Sequence, residues 1–266
     1  MRSQIDRWLR CRIPLLSFSV HKVKSEGIEK VPNAIGNGAS SETTFLRRYT
    51  SITAVIDILR RKELPLLDPQ TWDDRNDRYF MSIYKESGAL GGLYGLCAAT
   101  CKETYHHWRV FTNNADGACI EIRREPLEER LRQLPGISFG DVDYLVLGNV
   151  EKLRPGDRDR LPFVKRWGFG PECEYRIIAE TKEVQRPALS IDFPISLIGR
   201  IHLNPWLPAP IADSLKVTLR EIPGCSKLPI ARSQLIDSGR WKAAGDKVVR
   251  KPAAPRIKLA KPKVAT

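Results

Sequence analysis

Between Phe45 and Ser238, strand-like runs outnumber helical ones, and the two do not alternate regularly. That pattern argues against a doubly wound sheet, in which strands and helices take turns, and for a mixed α+β fold. The strand candidates are "TFLRRYT", "GGLYGLCAAT", "DGACIEI", "VDYLVLGNV", the end of "PFVKRWGFGPECEYRIIAET", and "SLIGRIHLN". A helix is expected over "SITAVIDILRRKEL", where Ile52, Val55, Ile56 and Leu59 recur at helical spacing behind a Thr50 or Ser51 cap. Further helices are expected over "KETYHHWRVFTNN", over "EPLEERLRQL" with Pro126 in its first turn, and over "APIADSLKVTLREI". "LPIARSQL" then completes a strand-helix-strand unit. The expectation is a single globular domain with a mainly antiparallel sheet, a few packing helices and disordered ends.

Charge sets the boundaries. The net charge is +13, but residues 240–266 carry nine Lys/Arg against Asp246, and residues 1–44 carry seven basic against four acidic residues. Residues 45–239 are left near neutral, at +2. Residues 1–44 read as an extension ending in the flexible linker "VPNAIGNGASSETT", 45–239 as the folded domain, and 240–266 as a disordered Lys/Pro/Ala tail. Such a tail suits nonspecific contact with nucleic acid through counterion release.

No apolar run approaches the roughly 18 residues of a membrane span, so no membrane partner is expected. The N-terminus carries Asp6 and lacks a small-residue cleavage site, which fits a soluble cytoplasmic protein. The six cysteines are scattered without a CxxC pair and read as buried reduced thiols. A metal site from Cys97, Cys101, His106 and His107 would need adjacent histidines to aim at one ion, so none is expected.

The densest chemistry lies in "RWGFGPECEYRI". In an extended chain Glu172, Glu174 and Arg176 share one face, and Cys173, Tyr175 and Ile177 the other, which reads as core. Two like charges on one face cost energy unless something neutralises or uses them. Paired carboxylates can divide labour, one stabilising an oxocarbenium-like sugar and one activating the attacking group. The bland alternative is a solvated strand face meeting neighbouring arginines.

Other segments carry similar pairs of readings. "RRYTS" joins a strand to a helix start, where Arg47 or Arg48 and free amides would suit a phosphate, or merely cap the helix. "DDRNDRY" reads as a turn shaped by Asn76 or Asp77. "ETYHHWRVF" offers His107 as a base, or else a packed aromatic turn.

Taken in order, "FLRRYTSITAVIDILRRKEL", "WDDRND", "ETYHHWRVFTNNADGACIEI", "VDYLV" and "PFVKRWGFGPECEYRI" resemble bacterial domain-of-unknown-function family 2971, over Phe45 to Ser238. That family has no settled activity. More loosely, Arg48-Tyr49-Thr50 and Glu172-Cys173-Glu174 resemble the first and last motifs of ADP-ribosyltransferases, in the right order. The resemblance implies NAD as cofactor. Arg48, with Tyr49 and Thr50, would hold its phosphate or ribose, and Trp108 would line the same cleft. Glu174 would stabilise the ribosyl cation and Glu172 would assist the acceptor. The serine of the middle motif is missing, with Thr100 the nearest hydroxyl. The readings carried forward are therefore NAD-dependent ADP-ribosyl transfer or NAD cleavage, nucleic-acid binding through the tail, and a protein-protein adaptor.

Overall fold

The computed structural model describes residues 44–112 and 114–249. Strand β1 (Phe45–Ser51) leads through helix α1 (Ile52–Arg61) into β2 (Glu63–Leu67), α2 (Arg75–Ser87), β3 (Gly92–Ala99) and α3 (Tyr105–Phe111). Next come β4 (Gly117–Arg123), α4 (Arg124–Leu131), β5 (Ile137–Asp141), β6 (Asp143–Leu145), α5 (Leu147–Val150) and β7 (Val164–Arg166). The chain closes with β8 (Glu174–Thr181), β9 (Ala188–Asp192), β10 (Ile198–Leu203), α6 (Ala209–Glu221), β11 (Ile230–Arg232) and α7 (Gly239–Val249).

Nine strands form one sheet in the order β11-β10-β4-β1-β3-β2-β9, with β8 also on β3 and β5 on β8. Its pairings are antiparallel except for β10 with β11, which α6 connects as the strand-helix-strand pattern predicts. The fold is thus the expected α+β class. β6 and β7 make a small parallel pair beside the sheet.

The period-two alternation of the strands produces two unlike faces. Leu46, Leu96, Ala98, Ile120, Ile122, Tyr175 and Ile177 point to one side, where α1, α4 and α6 cover them with Val55, Ile58, Leu59, Leu127, Leu131, Ala212 and Leu219. Ser51 begins α1 as expected, its hydroxyl accepting from the Ala54 amide. The opposite face presents Tyr49, Ala99 and Cys119 together with the charged residues Glu174 and Arg176, and lies under α2, α3 and the chain around β7.

Three segments depart from the sequence reading. "DDRNDRY" is the start of α2 rather than a turn, because Asp74 caps it by accepting from the Asn76 amide. "VDYLVLGNV" divides into β6 and the short α5. Helix α7 occupies the opening of the stretch read as a disordered tail, while residues 1–43 and 250–266 lie outside the described residues. Among the described residues no helix is long and apolar enough to cross a membrane.

Candidate functional site

The site is built on β8, the strand that continues "ECEYRI". The chain leading into it departs from the expected alternation at one residue. Glu172 ends a 3-10 turn (Trp167–Glu172), and Cys173 adopts a left-handed conformation, φ 46 and ψ 50. The strand begins only at Glu174. The left-handed corner removes Cys173 from the core face, where Tyr175 and Ile177 do sit. It also swings Glu172 back, so that both carboxylates still converge.

They converge on Lys165 of β7, whose Nζ donates to Glu172 Oε2 at 2.6 Å and to Glu174 Oε2 at 3.1 Å. Arg176 donates from Nε to Glu174 Oε1 at 2.8 Å and from Nη2 to Asp77 Oδ2 at 2.6 Å. Its Nη1 reaches the Pro162 carbonyl, and its guanidinium lies over the Trp72 ring. Three carboxylates and two cations are therefore buried together, none of them more than 9% exposed.

This charge count shapes the titration. Burial pushes every carboxylate up, because the low-dielectric surroundings disfavour charge. At Glu174 the Arg176 guanidinium and Lys165 ammonium outweigh burial and bring the pKa down to about 2. Two cations do not satisfy three acids, and burial leaves Glu172 and Asp77 above their ordinary values despite Lys165 and Arg176. Lys165 itself is raised, since Glu174 and Glu172 outweigh its desolvation. One carboxylate is thus firmly ionised while a neighbour, on the same ammonium, holds a proton more readily.

Arg48 enters from a fork in the sheet. One edge of β3 pairs along its length with β8, while the other is shared, with β1 at Ala99 and β2 at Gly95. Cys97 lies between those two contacts, and Arg48 Nη1 donates to its carbonyl at 2.9 Å. Burial lowers the Arg48 pKa against the pull of Cys97 and Glu174. The register sets Arg48 on the Leu46 and Ile120 side of β1, while its neighbour Arg47, paired with Ala99, is on the side that carries Glu174. Thr50 lies two residues along the same strand, half-buried.

Tyr49 and Trp108 belong to a different group. Trp108 is 1% exposed, donates from Nε1 to Glu103 at 2.6 Å, and meets Tyr49 edge-on at 5.2 Å. Tyr49 stacks on His107 at the same separation. These rings are packed against one another rather than lining a cleft with Arg48. His107 Nε2 lies 2.9 Å from the Glu172 carbonyl, which can only accept, so that nitrogen carries the proton and Nδ1 accepts from Thr104. Burial lowers the His107 pKa and keeps it neutral. Its role is to hold the Glu172 backbone.

Asp77 and Lys165 are the participants that sequence reading missed. Asp77 looked like a turn former, and nothing about Lys165 within "PFVKRW" marks it as buried. The available signal was indirect: three charges on one face of a strand whose other residues are core require partners from elsewhere. A cavity of about 360 Å³ lies farther along α2, lined by Gln70, Met81, Lys85 and Gln185, and does not include the carboxylates.

No family model matches this chain, that of the family it resembles included, and no curated protein matches it. Among solved structures it is similar to Thermus sp. 2.9 DarT in complex with NAD+, at 12% identity and a TM-score of 0.38, covering 73% of this chain and 96% of that one. The structure of Thermus sp. 2.9 DarT in complex with ADP-ribosylated ssDNA gives 13% identity and a TM-score of 0.39, covering 73% and 95%.

Proposed function

We propose that the Glu172/Glu174 cluster is the centre of an NAD-consuming domain that cleaves the nicotinamide-ribose bond and passes ADP-ribose to an acceptor or to water. The observation that carries this reading is that two buried carboxylates share the Lys165 ammonium while Arg176 serves Glu174 and not Glu172, which holds Glu174 low and leaves Glu172 raised. Environments that push two acids apart equip one as a fixed negative charge and the other as a proton acceptor or donor. Glu174, ionised, would stabilise the positive charge that develops on the ribose as nicotinamide departs. Glu172 would take the proton of the incoming hydroxyl or water. Arg48, with Thr50 above it on β1, would hold the phosphate or ribose of the dinucleotide. Entry of the substrate would require Lys165 and the Trp167–Glu172 turn, whose Phe169 ring lies 4.7 Å from Lys165 Nζ, to give way.

The test is nicotinamide release from NAD by the purified full-length protein, compared with Glu174→Gln and Glu172→Gln. Loss of each group should lower turnover by about 10²- to 10⁴-fold. Undiminished turnover in Glu174→Gln would remove that residue from the mechanism, and no release by the unaltered protein would overturn the reading.

A second reading rests on α7, which buries none of its side chains and displays Arg240, Lys242 and Lys247. With the rest of residues 240–266 it would contact nucleic acid without sequence preference. Removing residues 240–266 should flatten the salt dependence of DNA or RNA binding. An unchanged affinity and salt slope would rule it out.

A further inference from the structure

The left-handed corner at Cys173 has a second result: it takes the Cys173 thiol off the core face and leaves it at the end of the strand beside the loop that carries Cys101. Ala99 pairs with Glu174 at the end of the β3–β8 ladder, and the Thr100 amide continues it by donating to the Cys173 carbonyl at 2.8 Å. Cys101 is the next residue, so the two cysteines are diagonal neighbours just past the ladder. Both thiols flank the Glu172–Cys173 peptide: Cys101 Sγ is 3.8 Å from His107 Nε2, which itself lies 2.9 Å from the Glu172 carbonyl, and Cys173 Sγ reaches the Pro171 carbonyl at 3.7 Å. Both side chains are half-buried, unlike the enclosed Cys119 and Cys225. We propose that Cys101 and Cys173 are a redox-active pair that closes to a disulfide when the protein meets a peroxide.

The surroundings suit that chemistry. The neighbouring Cys101 brings the Cys173 thiol down to about 7, and Cys173, with burial, raises Cys101. The thiolate is the nucleophilic form, so Cys173 is the attacking sulfur. His107 Nε2, 3.8 Å from Cys101 Sγ, is committed as a donor to the Glu172 carbonyl and does not remove the Cys101 proton.

The step balances as follows. Cys173 thiolate attacks one peroxide oxygen, breaking the O–O bond and forming a sulfenic acid, and the departing hydroxide takes a proton to become water. Cys101 sulfur then attacks the sulfenic sulfur. The S–S bond forms, hydroxide leaves, and it carries off the Cys101 proton as a second water. One peroxide is reduced and two thiols are oxidised. The bond would tie the corner between Glu172 and Glu174 to the loop after β3.

The experiment is treatment of the full-length protein with hydrogen peroxide, followed by non-reducing tryptic digestion and mass spectrometry. The expected product joins the peptide Glu86–Lys102 to the peptide Trp167–Arg176, with two hydrogens lost. Cys97 shares the first peptide, so Cys97→Ser should keep the cross-link, while Cys101→Ser and Cys173→Ser should each abolish it. Circular dichroism of each variant confirms that it is folded. A cross-link that survives Cys101→Ser, or peroxide treatment that leaves the two peptides unjoined, would overturn the proposal. The readout does not involve NAD, so it stands or falls separately from the proposed activity.

Discussion

Arg176 and Asp77 are ninety-nine residues apart in sequence and meet at 2.6 Å, each almost wholly buried. The contact joins α2 to β8 and makes the charged cluster one object rather than a row of surface pairs. Breaking a buried pair by deleting one partner leaves the other charge uncompensated, a much larger effect than losing an exposed salt bridge.

Arg176→Met should therefore destabilise the protein by about 3–5 kcal/mol, the range for stranding buried charge. Urea unfolding measures this. A change no larger than that of an exposed pair, such as Arg61→Met beside the half-exposed Asp57, would show that the cluster is not load-carrying in the folded state.

Acid stability should carry the signature of Glu174. Its pKa falls from 4.5 in the unfolded chain to about 2 in the fold, so the unfolded state binds the proton more tightly between those values. Its stabilisation is present above about 4.5 and is lost as pH falls toward about 2, on the order of 3 kcal/mol in all. Glu172 and Asp77, raised rather than lowered, contribute the opposite slope above their ordinary values. Urea midpoints measured against pH should fall more steeply below 4.5 for the unaltered protein than for Glu174→Gln. Parallel curves would contradict the assignment.

Gly95→Ala should disturb the cluster without touching a charge. A Cβ at Gly95 would lie 2.6 Å from Trp72 Cζ2, and Trp72 is the ring on which the Arg176 guanidinium rests. Overpacking of this kind costs about 1–3 kcal/mol. Unfolding free energy and tryptophan fluorescence should both shift, and an unchanged protein would mean that Trp72 has room to retreat.

Ser51→Ala tests the local reading of the β1–α1 junction. Loss of the hydroxyl that accepts from the Ala54 amide should cost about 1 kcal/mol, because one orphan donor of the first turn loses its partner. A thermal melt detects this, with Ser51→Asn as the variant that restores a cap.

What the sequence determined by itself was local. The period-two pattern of "EYRIIAET" and "DGACIEI" settles which residues of β8 and β4 enter the core, and the helical spacing does the same for Val55 and Leu59 of α1, although Ile58 joins them from outside the expected set and Ile52 and Ile56 are only partly buried. These follow because a side chain's direction depends only on its own backbone and its neighbours. The unbalanced charge of Glu174 and Arg176 on an otherwise buried strand was also visible. The identity of their partners was not. Asp77, Lys165 and the fork that receives Arg48 arise from strand order, and strand order is decided by which apolar faces bury one another across the whole sheet. The corner at Cys173 was hidden for the same reason. Nothing in "PECEY" requires a left-handed residue, and only the assembled fold, with Glu172 held by Lys165 and His107, keeps one there.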